Sequence, residues 1–272
     1  MIGSLEAIGS SLVATPSAIE WTEVTWNPTT GCDRTSPGCD NCYAMTLAKR
    51  LKAMGQPKYQ RDGDPRTSGP GFGVTVHDDV VDQPLRWRQP RVVFVNSMSD
   101  LFHPDVPDEF IWRVFRTMAA SPQHTFQVLT KRPQRMADLI AGWCQELDRL
   151  QISPRIPLPN VWLGTSIESD RYAFRADHLR RTPAAVRFLS LEPLLGPVPN
   201  LDLSGIQWVI VGGESGANAR PIERAWVSDI RRQCRLTGVP FFFKQWGGRT
   251  PKAGGRLLDG RHYDEMPLLA SA

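Results

Sequence analysis

A chain of 272 residues is long enough to bury a full core, and it fits one large domain as readily as two small ones. Its composition, 41% hydrophobic and 22% charged, sets disorder aside, while a net charge of +4 and a pI near 8.9 are compatible with a nucleic-acid or phosphorylated partner without selecting one. Five cysteines, an odd number, argue against a secreted disulfide framework and for a reducing, cytoplasmic setting.

Residues 1–19 carry no Lys or Arg ahead of their apolar positions and include Glu6, so they make a poor secretory signal and read as a flexible tail. No run approaches the roughly 20 apolar residues of a bilayer span. WTEVTWNP, Trp21 to Pro28, reads as a first strand; a cysteine loop follows, then a helix through Met54 with Gly55 as its stop. Residues 56–90, rich in Gly, Pro and charge, read as an insertion with a short β segment, GVTVH, and a short helix around Leu85 to Arg88.

From residue 90 onward, near-continuous apolar runs alternate with helix-length amphipathic segments, the pattern of βα units around a parallel sheet buried on both faces. The runs are RVVFVNS from Arg91, TFQVLTK from Thr125, NVWLGTS from Asn160, RFLSLEP from Arg187, WVIVGGE from Trp208 and PFFFKQW from Pro240. Helices are expected over Pro107 to Ala120, with Phe110, Val114, Phe115 and Met118 at helical spacing, and over segments beginning at Arg132, Ser169 and Glu223, the last capped by Gly238. Without a GxGxxG fingerprint, this rhythm points to an α/β fold: a full or partial TIM-like (β/α) barrel of six to seven parallel strands, with a doubly wound parallel sheet as the alternative. The barrel is expected as a single domain over 20–248, followed by a C-terminal extension, 249–272, in which LLDGRHY forms a hairpin turning at Asp259-Gly260.

In either fold the active site lies at the carboxyl ends of the strands. The residues there are Asn96, Ser97 and Asp100; Thr130, Lys131 and Arg132; Thr165, Ser166 and Glu168; Ser190 and Glu192; Gly212, Gly213 and Glu214; Lys244 and Gln245. Single polar residues commonly mark where strands surface, but six strands each delivering such a group make a site. Glu192 and Glu214 are the carboxylates expected to point into it, and Gly212 and Gly213 would let a ligand approach the backbone.

Cys32, Cys39 and Cys42 lie in the first loop, with Cys39 and Cys42 at the start of a helix whose N-terminus favours negative charge. Cys32 returns over a turn-forming Ser36-Pro37-Gly38, and the spacing suits three ligands on one metal centre. Structural zinc would need a fourth ligand, from His77, His103, Cys144 or Cys234, none at a finger-like spacing; Cys144 and Cys234 read as core residues on helices. A redox CxxC would leave Cys32 unexplained, and an iron–sulfur cluster on three thiolates would leave one iron open for a ligand.

Cys32, Cys39 and Cys42 followed by Tyr43, in the first strand-to-helix loop, resemble the cluster motif of the radical S-adenosylmethionine (SAM) superfamily, with a first gap of six residues where three are usual. Across residues 20–248, TWNPTTGCDRTSPGCDNCYA, VFVNSMSDLFH, QVLTKRP, NVWLGTSIE, RFLSLEPLLGP, VIVGGESG and FFFKQWG resemble a phage-associated three-cysteine family of unknown function, domain-of-unknown-function family 5131, itself radical-SAM-like. The resemblance implies a [4Fe–4S] cluster on the three cysteines, with SAM on the fourth iron and an electron donor such as flavodoxin or ferredoxin. It further implies that SAM cleavage starts radical chemistry on a substrate, with a nucleic acid or nucleotide as a candidate. At the strand ends it sets Ser97 and Asp100 on the SAM amino group or ribose, Lys131 on its carboxylate, and Glu192 and Glu214 on ribose hydroxyls or substrate. Asn96, Thr165, Ser166, Gly212 and Gly213 join the cofactor-binding set, and Tyr43 packs near the cluster or the adenine. Trp87, between Arg86 and Arg88, is a candidate base-stacking residue, although a half-buried surface helix explains it as well. The alternative to an enzyme is a zinc-stabilised or catalytically silent nucleic-acid-binding protein.

Overall fold

The computed structural model describes residues 15–17, 19–151, 156–250 and 252–267. Its strands are β1 (Thr15–Pro16), β2 (Val24–Trp26), β3 (Thr29–Thr30), β4 (Thr75–Val76), β5 (Val92–Val95), β6 (Thr125–Thr130), β7 (Val161–Ser166), β8 (Val186–Leu191), β9 (Trp208–Gly212) and β10 (Phe241–Gln245). The helices are α1 (Tyr43–Ala53), α2 (Asp78–Val81), α3 (Asp108–Ala119), α4 (Pro133–Leu150), α5 (Arg175–Arg181) and α6 (Arg224–Thr237).

One sheet runs β1-β2-β5-β6-β7-β8-β9-β10. The seven strands from β2 onward are parallel and follow chain order, while β1 pairs antiparallel at the edge. Sequential order leaves no switch point, which removes the doubly wound alternative. Among the described residues β10 does not pair with β2, so the barrel is partial.

Strand periodicity divides the apolar side chains between two cores. Val93 and Val95, Val161 and Leu163, Val209 and Val211, and Phe241 and Phe243 pack outward against the helices. Phe94, Trp162, Phe188, Trp208, Ile210 and Phe242 point inward with Trp21 and fill the lower interior. Trp21, Trp162, Phe188 and Phe242 all pack around Trp208 at ring distances of 5.7 to 6.2 Å. Each such burial contributes roughly 1.5–3 kcal/mol. Gly164 makes room for this packing, since a Cβ there would lie 2.4 Å from the Phe188 ring.

The outer helices follow their patterns. α3 starts after Pro107 with Asp108 and Glu109 in its first turn and buries Phe110, Ile111, Val114, Phe115 and Met118. α6 buries Val227, Ile230 and Cys234 and ends at left-handed Gly238 (φ 70). The helix expected from Ser169 is two pieces, a 3-10 turn over Asp170–Tyr172 and then α5. The short helix expected around Leu85 to Arg88 is a 3-10 turn over Gln83–Arg86 that begins with a proline at its second position.

The insertion returns to the barrel mouth through a β3–β4 ladder, Thr29 opposite Val76. Trp26 Nε1 donates to the carbonyl of Val80 at 2.9 Å and anchors α2. At the C-terminal end, Leu258 and Arg261 exchange two backbone hydrogen bonds around Asp259 (φ 53) and Gly260 (φ 74), the expected two-residue turn. The chain then covers β10, with Phe243 donating to the carbonyl of Tyr263 at 2.8 Å. Of the tail expected over residues 1–19, Thr15 and Pro16 form β1; residues 1–14 and 18, like 268–272 of the extension, lie outside the described residues. No helix among the described residues is long and apolar enough to cross a membrane.

Candidate functional site

After β3 the chain enters the cysteine loop at Gly31, whose φ of 87° and lack of Cβ let Gly73 of the insertion press against it; a Cβ would lie 2.3 Å from the Gly73 carbonyl oxygen. The insertion braces the loop further: Cys32 N–H donates to Phe72 (3.3 Å), Arg34 N–H to Thr67 (3.1 Å), and Thr67 Oγ1 to Asp33 (2.5 Å). A 3-10 turn over Pro37–Cys39 follows, and Cys42 sits at the N-cap of α1. All three cysteines line one cavity of about 510 Å³ at the carboxyl ends of the strands. Trp21, Phe94 and Leu129 give it an apolar floor, and Lys131, Ser190, Glu192 and Lys244 a polar wall.

The thiols are free and none pairs with another. Burial, reinforced by Asp100, pushes the Cys32 thiol up to about 12 against the opposing charge of Arg132, whose Nη1 donates to Cys32 Sγ at 3.3 Å. Burial likewise raises Cys42. Among the described residues no three His, Cys, Asp or Glu side chains form a ready metal-holding group. The three thiols expected to act together all line the same cavity. The residues weighed as a fourth ligand are elsewhere: His77 Nε2 lies 2.8 Å from Thr30 Oγ1, His103 Nε2 lies 3.0 Å from Asp33, Cys144 belongs to α4, and Cys234 is core. The donor set of the cavity is three soft sulfurs with, among the described residues, no fourth cysteine and no histidine beside them, which fits an iron–sulfur cluster better than a closed zinc site.

Several strand-end groups expected to meet a ligand are held by the protein itself. Asp100 accepts from Thr130 Oγ1 (2.7 Å), Lys131 N–H (3.1 Å), Arg132 Nη1 (3.0 Å) and Phe102 N–H (3.0 Å), which leaves it a brace for Arg132 and not an open acceptor. Glu214 accepts from Asn41 Nδ2 (2.8 Å) and from the backbone and guanidinium of Arg220. Burial pushes its carboxyl up, but these hydrogen bonds and the Arg220 charge outweigh it and hold the group below the usual 4.5. Thr165 is fully buried, donates to the Thr130 carbonyl at 2.9 Å and does not line the cavity. Gly212 and Gly213 admit the protein's own atoms: a Cβ on Gly212 would lie 2.6 Å from Glu192 Oε1, and one on Gly213 would lie 2.0 Å from the Trp246 carbonyl oxygen.

Asp100, Gly213 and Glu214 nevertheless line the cavity, and further candidates line it with them. Glu192 lies 3.2 Å from Lys244 Nζ, and Lys131 Nζ lies 3.4 Å from Glu168. Asn96 is buried in the left-handed region (φ 62), accepts from Thr29 N–H at 3.4 Å, and its Nδ2 has no partner. Ser97 and Ser166 line the same space, and Tyr43 donates its hydroxyl to the Ser97 carbonyl from a half-exposed ring. Trp87 is buried against His124, which removes it as a stacking surface. Ser36, Asn41 and Arg220 carried no signal in the sequence, because they make contacts to residues 132, 173 and 183 positions away, respectively.

A parallel half-barrel with a three-thiol loop over its mouth defines the class. The chain belongs to the family described as Protein of unknown function (DUF5131), whose profile matches residues 16–267. No curated protein matches it. Among solved structures it is similar to a spore photoproduct lyase complexed with dinucleoside spore photoproduct, at 13% identity and a TM-score of 0.43, covering 75% of this chain and 59% of that one. It is also similar to a point mutant of spore photoproduct lyase, at 12% identity and a TM-score of 0.45, covering 76% and 60%. The chain thus spans about three fifths of the length of those proteins.

Proposed function

We propose that this protein is a radical-SAM-type iron–sulfur enzyme in which Cys32, Cys39 and Cys42 hold a [4Fe–4S] cluster. The observation that carries this reading is the donor set: three free thiols lining one cavity at the carboxyl ends of a parallel half-barrel. When bound, such a cluster would supply one-electron reduction of SAM, the electron coming from a donor such as flavodoxin or ferredoxin, which breaks the C5′–S bond to give methionine and a 5′-deoxyadenosyl radical.

The chain's own residues supply position and exclusion. Lys131 and the unpartnered amide of Asn96 are the donors for the SAM carboxylate, and Ser97 and Ser166 take its remaining polar atoms. Glu192, with Lys244 beside it, faces ribose hydroxyls or the substrate. Trp21, Phe94 and Leu129 give the floor an apolar surface that helps keep solvent and its solutes out of the reacting space.

Anaerobic purification with iron and sulfide reconstitution tests the assignment. The expected product is a brown protein that bleaches with dithionite and yields 5′-deoxyadenosine from SAM. Cys32→Ala, Cys39→Ala and Cys42→Ala should each lose both properties. A colourless protein carrying one zinc, or unchanged iron and SAM cleavage in the three variants, would sink the proposal.

A further inference from the structure

The six residues between Cys32 and Cys39 and the two between Cys39 and Cys42 are gripped from both sides of the mouth. After β7, Glu168 is buried and accepts from Ser36 Oγ at 2.6 Å, while Arg175 (2.9 Å) and Lys131 (3.4 Å) hold its charge. Gly38 rests on the same carboxylate; a Cβ there would lie 2.5 Å from Glu168 Cγ. After β9, Glu214 accepts from Asn41 Nδ2 at 2.8 Å, and its partner Arg220 also donates to the Pro37 carbonyl at 2.8 Å and reaches Asp40 at 3.4 Å. Residues 36, 37, 38, 40 and 41 are thus fixed to the rim, whereas the sulfurs of Cys32 and Cys39 meet Asp33, Thr35 and Arg132, and that of Cys42 the backbone of Ala44 and Met45. Buried, charge-assisted bonds to a surface loop far away in sequence are specific and costly to leave unmade.

We infer that Glu168 and Glu214 are positioning residues for the three-thiol site, clamping the loop backbone over the cavity so that only the thiol side chains must turn to meet a metal. The inference rests on the three-thiol reading above and explains how a long first gap can still present a defined ligand set.

The test uses the full chain with Ser36→Ala, Asn41→Ala, Glu168→Gln and Glu214→Gln. Amide hydrogen exchange over residues 33–42 is measured in metal-free protein, then iron per chain and the electron paramagnetic resonance signal after reconstitution. Ser36→Ala removes one loop-to-rim bond and Asn41→Ala two, to Glu214 and to the Asn218 carbonyl, so they report even if a buried glutamine variant misfolds. Loop exchange should accelerate by about tenfold, the scale of one hydrogen bond to a charged group, with strand amides unchanged and iron below wild type. Wild-type loop exchange in both alanine variants overturns the clamps. Faster exchange with wild-type iron and signal overturns the positioning role. A wild type that takes up no iron refutes the three-thiol reading, and loop exchange then still decides whether the clamps exist.

Discussion

Arg132 joins the barrel to the thiol site. It is half-buried, lies 3.0 Å from Asp100 and donates to Cys32 Sγ, so its removal takes the positive partner from a carboxylate that lines the cavity and keeps only neutral donors. Arg132→Ala should cost about 3 kcal/mol, the scale of breaking a buried ion pair from one side, read as a lower urea midpoint; an unchanged midpoint would refute this. Glu214 gives a pH signature. Its folded carboxyl lies below its unfolded value of 4.5, so its share of stability is present above that value and is lost as pH falls through the folded one. Wild type should therefore lose stability on acidification below 4.5 more steeply than Glu214→Gln, as thermal melts across that range would reveal. Neither role was legible in the sequence. The strand-end rule placed Asp100 and Glu214 at the mouth, but which acid is consumed internally depends on Arg220 and Asn41, and pairing across 173 residues leaves no local pattern.

At the scale of elements, local physics was readable wherever a segment buries a long face. The runs from Val92 to Gln245 are apolar on both sides because helices cover one face and the aromatic floor the other, so they stood out without any alignment. The insertion was legible as a break in that rhythm with the short β segment GVTVH, which holds β4, but its inner organisation was not. Its pieces, Thr75–Val76, Asp78–Val81 and Gln83–Arg86, are too short for any period to register and take their shape from Trp26 and the β3–β4 ladder. Gly164 shows how one missing atom supports a whole layer. Gly164→Ala should force the Phe188 ring out of the cluster around Trp208 and lower stability by about 1–3 kcal/mol. A wild-type melting temperature in that variant would show that the floor is looser than its packing implies.

For the whole molecule, sequential strand order was expected from the βα rhythm, but the degree of closure was not, because closure depends on the two edge strands. A half-barrel has exposed backbone at both ends of its sheet, and here both ends are dressed. β1 lies against β2, and Tyr263 and Asp264 lie along β10. Glu20, ahead of the first parallel strand, meets Lys252, beyond the last, at 3.2 Å across the open side. The extension is thus a chaperone of the sheet edge built into the same polypeptide. Cutting the chain after Arg261 would leave Phe241–Gln245 as a bare, apolar template for a neighbouring copy. Such a truncation should self-associate in light scattering at concentrations where the full chain does not.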